Sequence, residues 1–196
     1  MNFNNAWKHF KRITKHKFYV AKFCFKAGLY WQGIIHDLSK YGYTEFSESI
    51  KYYEDGTSPI NVSKRKNGWS LAWLHHRGRN LHHDLNWIDE YSNYPHINII
   101  AMPYKYAVEM LCDFLAAGFV YSGKEDIKSE LNWWIKEKET KYFMHPATKK
   151  FITDCLEYMV IDDNVSLLKD HALLKNIYCS AFIDKQGNKF PVVITL

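Results

Sequence analysis

Proline and glycine are scarce in this chain, at five and nine of 196 residues, both below average usage of about 5% and 7%. That excludes a collagen-like repeat or a disordered Pro/Gly-rich segment. Cysteine is thin as well. Cys24, Cys112, Cys155 and Cys179 are scattered and form no CxxC, and three of them sit in apolar runs where buried thiols are usual. A reduced, cytoplasmic protein is the simplest expectation. Long uncharged apolar runs are missing too. None reaches the length of a signal-peptide core or the roughly 20 residues of a membrane span, so a soluble chain without a membrane segment is expected. No serine or cysteine occupies a recognisable nucleophile turn, which leaves a Ser-His-Asp or Cys-His hydrolase without support. Charge of one sign is also weak. Twenty-six basic against 21 acidic residues give a net +5, which suits phosphate-bearing ligands but does not establish nucleic-acid binding.

What is abundant is aromatic side chain, 17% of the chain within an apolar fraction of 47%. These values predict a globular domain over 1–196 with a core filled by Trp, Tyr and Phe. Three- and four-residue spacing of Phe10, Ile13, Val20, Phe23 and Ala27 predicts a helix over about 5–28. Further helices are expected from near Ile34, over Tyr43–Tyr53, over about 69–76 and over 81–91, with Arg77-Gly78-Arg79-Asn80 as a link between the last two. PYKYAVEMLCDFLAAGFVY is the strongest helix, with Pro103 in its first turn. Segments 124–139, 145–161 and 164–175 extend the helical pattern. NIYCSAFIDKQGNKFPVVITL carries two β-rich runs around a Gln-Gly-Asn turn, which predicts a terminal hairpin. The expected fold class is therefore all-α with a small C-terminal β-hairpin.

Ten histidines stand out against this background, four of them in LHHRGRNLHH. An unbroken helix would hold His75 and His82 about 10 Å apart along its axis, too far for one ion bonded at about 2 Å. A turn at the link would let the two pairs meet. His36-Asp37 pairs a borderline-soft with a hard metal ligand. His16 lies on the apolar stripe of the first helix and faces inward, as a core histidine or a ligand. Asp113 sits in an otherwise buried helix segment, where an ionised carboxylate needs a cation, a positive side chain or several donors.

In this order, His16, His36-Asp37, His75/His76 with His82/His83, and Asp113 resemble the HD-domain metal-dependent phosphohydrolases. HDLSKYGYTEF, AWLHHRGRNLHH and MPYKYAVEMLCDFLAAG together are similar to a family of uncharacterised HD-like proteins of bacteria and their phages, over about residues 10–120. The resemblance implies an α-helical bundle holding a divalent ion (Mn, Fe, Ni, Co, Zn or Mg) between its helices. His16, His36, Asp37 and Asp113 would form the primary shell. His76 and His83 would serve a second metal position, while His75 and His82 would touch phosphate. The doubling leaves open which member of each pair faces inward, and His9 is the alternative at the His16 position.

Lys40 matches a lysine that holds phosphate or a bridging carboxylate, and Glu45 a candidate acid or water-orienting group. Arg77 and Arg79 would bind substrate phosphate. The implied reaction is hydrolysis of a phosphate ester, with a nucleotide as the favoured small-molecule substrate, by water that a divalent ion has acidified. Two rivals remain. One is a degenerate HD fold that binds a nucleotide without cleaving it. The other is a phage-encoded interaction protein using Lys8, Lys11, Arg12, Lys15, Lys17, Lys22 and Lys26 on nucleic acid, where a plain solvated helix face explains the same residues. The helices after 124 would either cap the site or form a homodimer interface.

Overall fold

The computed structural model describes residues 3–90, 96–124 and 126–196. It is mainly helical with one small sheet, as the periodicity predicts. The long first helix α1 covers Phe3–Lys26 and turns Ala6, His9, Ile13, His16, Val20 and Phe23 inward. These positions recur every three to four residues, the signature of one buried stripe. Helix α6, Tyr104–Ser122, packs along it and buries Ala107, Val108, Leu111, Cys112, Leu115 and Ala116.

On the far side of α6 lie α7 (Ile127–Thr140), α8 (Pro146–Asp162) and α9 (His171–Ser180). They close one continuous core with Phe151, Ile152, Leu156, Met159 and Leu174. Trp134 of α7 is fully buried, and its indole N–H donates to Thr153 Oγ1 at 2.9 Å, so its one polar atom is satisfied. Cys24, Cys112 and Cys155 are buried free thiols and Cys179 is exposed.

The near side of α1 carries α2 (Tyr30–Ile35), α3 (Tyr43–Lys51), α4 (Pro59–Asn67) and α5 (Leu71–Arg79). Glu48 of α3 fixes α5 in place, accepting from Ser63 and Ser70 hydroxyls at 2.8 and 2.6 Å and from the Ala72 backbone N–H at 3.0 Å. Ser70 in turn accepts from the Trp73 backbone N–H and caps α5.

Several boundaries differ from the sequence reading. Helix α5 continues through Gly78 to Arg79, so the turn begins only at Asn80. The Asn86 side-chain amide donates to the carbonyls of Arg77 and Asn80, both at 2.8 Å, and folds the following loop back under the helix end. Residues 81–90 are not a helix. They form a short 3-10 turn, Asp84–Asn86, and strand β1, Ile88–Glu90; the expected end of that helix at Tyr91 lies outside the described residues. β1 pairs antiparallel with β2 (Ile97–Ile100), and β2 with β3 (Val193–Thr195).

The Gln-Gly-Asn turn does form, between the bridged residues Ile183 and Lys189. The runs beside it part company: NIYCS ends α9, and VIT crosses to β2. The resulting three-stranded sheet ties the loop before β1 to the chain that enters α6. No helix among the described residues is long and apolar enough to cross a membrane.

Candidate metal centre

His36 and Asp37 do not open a helix. They fill the break between α2 and a 3-10 turn over Leu38–Tyr41, and Asp37 adopts the left-handed conformation with φ of 54°. Aspartate tolerates that region better than most residues, and such strain concentrates at functional sites. Lys17 of α1 stabilises the break from below, donating to the carbonyls of Ile34 and His36 at 2.6 and 2.9 Å. The break sends the imidazole and the carboxylate inward together, leaving both 1–2% exposed.

Around them gather residues from α1, α6 and the loop after α5. His16 Nε2 lies 2.9 Å from Asp113 Oδ1 and 3.9 Å from Asp37 Oδ2. His36 Nε2 lies 3.2 Å from Asp37 Oδ2 and 3.6 Å from Asp113 Oδ1. On the other side of Asp37, Oδ1 faces His76 Nε2 at 3.4 Å and His82 Nε2 at 3.6 Å. Three groups of ligand atoms result among the described residues, each with all atoms within 4.8 Å of one another: His16, His36, Asp37 and Asp113; Asp37, His76, His82 and His83; and His36, His82 and Glu109. Asp37 belongs to the first two.

The spacing matches a shared cation. Ligands bonded at about 2.1 Å stand about 3.0 Å apart across an octahedral edge and about 3.4 Å across a tetrahedral one. Moreover, the Nε2 atoms of His16, His36, His82 and His83 and Oδ1 of Asp37 are buried without a hydrogen-bond partner among the described residues, whereas Oδ2 of Asp37 is ion-paired with Lys40. Buried polar atoms gathered this closely are costly unless a cation satisfies them. The residues therefore fit a divalent ion, and their mixture of imidazole and carboxylate suits first-row metals.

Two glutamates set the orientation of the rings. Glu109 Oε1 accepts from Nδ1 of His36 at 2.9 Å and lies 3.2 Å from Nδ1 of His82. Glu45 takes Nδ1 of His75 on Oε1 at 2.7 Å and Nδ1 of His76 on Oε2 at 2.9 Å. A proton held at Nδ1 turns Nε2 toward the metal position. Burial disfavours charge on His36, but Asp37, Asp113 and Glu109 outweigh it and raise its pKa well above the ordinary value, so a metal there would displace the Nε2 proton. Burial pushes the Asp37 and Asp113 carboxyls up, but the neighbouring imidazoles outweigh it, with Lys40 adding to the pull on Asp37, and hold both well below the usual range. Both are carboxylates at neutral pH. Burial likewise disfavours charge on His16 and His83 and lowers both. Lys40 Nζ reaches Asp37 Oδ2 at 2.5 Å. Burial opposes its charge, yet Asp37 and Asp113 raise the ammonium to about 12.

The sequence-derived set thus divides. His16, His36, Asp37, His76, His83 and Asp113 come together as expected, and His82 joins them as a ligand-like group instead of a phosphate contact. Both members of the second histidine pair therefore face inward, but only His76 of the first. His75 turns to Glu45 and stays outside all three groups. Glu45 is engaged in orienting imidazoles. Arg77 is half-buried and Arg79 exposed, and neither lines the cavity beside the cluster: with α5 unbroken to Arg79, these side chains leave a helix surface instead of a turn folded over the site. Glu109 went unnoticed, although it lies four residues before Asp113 on the same buried face and the same burial argument applies to it.

A family model described as a family of unknown function, DUF5662, matches residues 5–158. No curated protein and no solved structure matches the chain.

Proposed function

The chain belongs to the DUF5662 family, and we propose that it is a metal-dependent phosphohydrolase acting on a nucleotide or a related phosphate ester. One observation carries this reading: Asp37 stands between two groups of inward-facing imidazoles whose Nε2 atoms largely lack partners. His16, His36, Asp37 and Asp113 would hold one ion, and His76, His82 and His83 would share Asp37 around a second position. A divalent ion there supplies Lewis acidity, neutralising phosphoryl charge and acidifying water.

The remaining work falls to the chain itself. Glu109 and Glu45 keep the Nδ1 protons on their histidines, so that Nε2 atoms face the site. Lys40, on the wall of the adjoining cavity, offers an ammonium to a phosphoryl oxygen. The likeness to HD-domain phosphohydrolases in residue order supports the same reaction class.

A second reading is favoured by Lys40. Its ammonium already neutralises Asp37, as it would in a degenerate site that binds phosphate without turnover. The nucleic-acid rival has less support, because Lys8, Arg12 and Lys17 are engaged within the fold. The deciding test measures phosphate release from nucleotides and aryl phosphates with manganese and after chelation. Loss of metal-dependent release in His36→Ala and Asp37→Ala supports the proposal. Metal-loaded protein that binds phosphate but releases none from any ester leaves only the binding reading.

A further inference from the structure

A cavity of about 230 Å³ opens beside the cluster, with His16, Asp113 and Lys40 at one end. Its other walls come from α1, α3, α4, α5 and α6. Ile13, Pro59, Ile60, Ala72, Ala117 and Val120 give it apolar surface, and several polar side chains, among them Arg12, Glu45, Ser49, Ser58 and Tyr121, stand between these. Another is His9. It lies one helical repeat before His16, is 5% exposed, and its Nδ1 is buried without a hydrogen-bond partner among the described residues. The ring rests against Phe46 and Tyr53 at 5.3 and 6.3 Å between centroids, which fixes its place on the wall. The other cation on the wall, Arg12, is already committed. Its guanidinium donates to the Thr57 carbonyl at 2.9 Å and to the Tyr53 hydroxyl at 2.7 Å.

Resting on the phosphohydrolase reading, we propose that this cavity receives the organic part of the substrate and that His9 hydrogen-bonds it. The substrate class follows from the walls. It is a phosphomonoester whose organic group is uncharged and no larger than a nucleoside or an aryl ring.

Two physical limits define that class. The volume lies below the roughly 300–1,000 Å³ typical of sites for drug-sized ligands, so an oligomer does not fit. Lys40 marks the phosphate end, and the guanidinium of Arg12 is spent on Thr57 and Tyr53, so a polyphosphate tail would find no uncommitted second cation on the wall. His9 is suited to read one polar group: burial, and then the charges of Lys40 and Arg12, lower it to about 4, so the ring is neutral and offers one donor and one acceptor nitrogen.

The test is calorimetric binding to the manganese-loaded full chain. The probes are inorganic phosphate, phenyl phosphate, a nucleoside 5′-monophosphate and its triphosphate. Phenyl phosphate and the nucleoside monophosphate are expected to bind about tenfold tighter than inorganic phosphate. The triphosphate should gain nothing over the monophosphate. His9→Ala should weaken the nucleoside monophosphate about fivefold, the worth of one neutral hydrogen bond, and leave phenyl phosphate and inorganic phosphate unchanged. Ala117→Leu, which narrows the cavity while keeping His9, should remove the advantage of both esters.

If inorganic phosphate binds but no ester binds tighter, or if neither variant discriminates between esters and phosphate, the cavity assignment falls and the metal reading stands. Failure of inorganic phosphate to bind at all overturns both. Esters that bind as expected but are never hydrolysed uphold the cavity and overturn the hydrolytic reading.

Discussion

Asp113 Oδ1 lies 2.9 Å from Nε2 of His16, an ion-pair distance between side chains carried by two different helices. Helices α1 and α6 pack along their length to bring this pair together, and the arrangement makes sense around a cation that both atoms ligate. Asp113→Ala should therefore remove a ligand and leave His16 oriented. Elemental analysis and calorimetry should register a fall in manganese or zinc affinity larger than the roughly 10–100-fold typical of outer-shell changes. Retention of full affinity would show that Asp113 is a structural partner of His16 and nothing more.

Glu109 acts one layer further out. By holding Nδ1 of His36 and facing Nδ1 of His82, it fixes both tautomers. Glu109→Gln keeps the volume and can no longer act as an anionic acceptor for both rings. Metal affinity should drop about 10–100-fold, and nitrogen NMR of labelled histidine should report a change of tautomer at His36 and His82. An affinity loss without a tautomer change would mean that Glu109 supports packing instead.

His75 and His76 separate the two meanings of a histidine pair. Both donate to Glu45, yet only His76 also faces Asp37, at 3.4 Å. His76→Ala should lower the stoichiometry or affinity of the second ion by about tenfold or more. His75→Ala should leave metal binding close to wild type. Equal effects would place both rings at the site, or neither.

The cluster was legible where burial and chemistry conflict. A histidine on the stripe of α1 and an aspartate inside apolar α6 each demanded a partner, and they are partners of the same volume. The HD pair was legible as chemistry but not as geometry, because a left-handed aspartate leaves no mark in periodicity. Gly78 read as a break since glycine costs a helix about 1 kcal/mol relative to alanine. Here side-chain amides of Asn80 and Asn86 bond the last carbonyls of α5 and offset that cost. The polar run of α4 buries only Pro59, Val62 and Ser63, too few to show a stripe. Ile88–Glu90 becomes a strand through β2, which itself pairs with β3 at the chain's far end, and such long-range pairing is invisible to a local window.

Glu130 offers a test of α6–α7 packing that is independent of the metal. Its carboxyl sits over Gly118, where an added Cβ would lie 1.9 Å from Oε1. Burial, and then the charge of Asp126, raise it from 4.5 to about 7. The folded state therefore binds this proton more tightly than the unfolded chain does. The sign follows: the stabilisation is fully present below pH 4.5 and is lost as pH rises through about 7. Glu130→Gln mimics the protonated form, so its stability relative to wild type should grow across that window and level off above it. Urea midpoints for both proteins at pH 5 and pH 8 decide the matter, because carboxylates elsewhere titrate in both and cancel in the difference. Parallel midpoints would mean that the carboxyl is solvated and ionised, and that Gly118 accommodates it for shape alone.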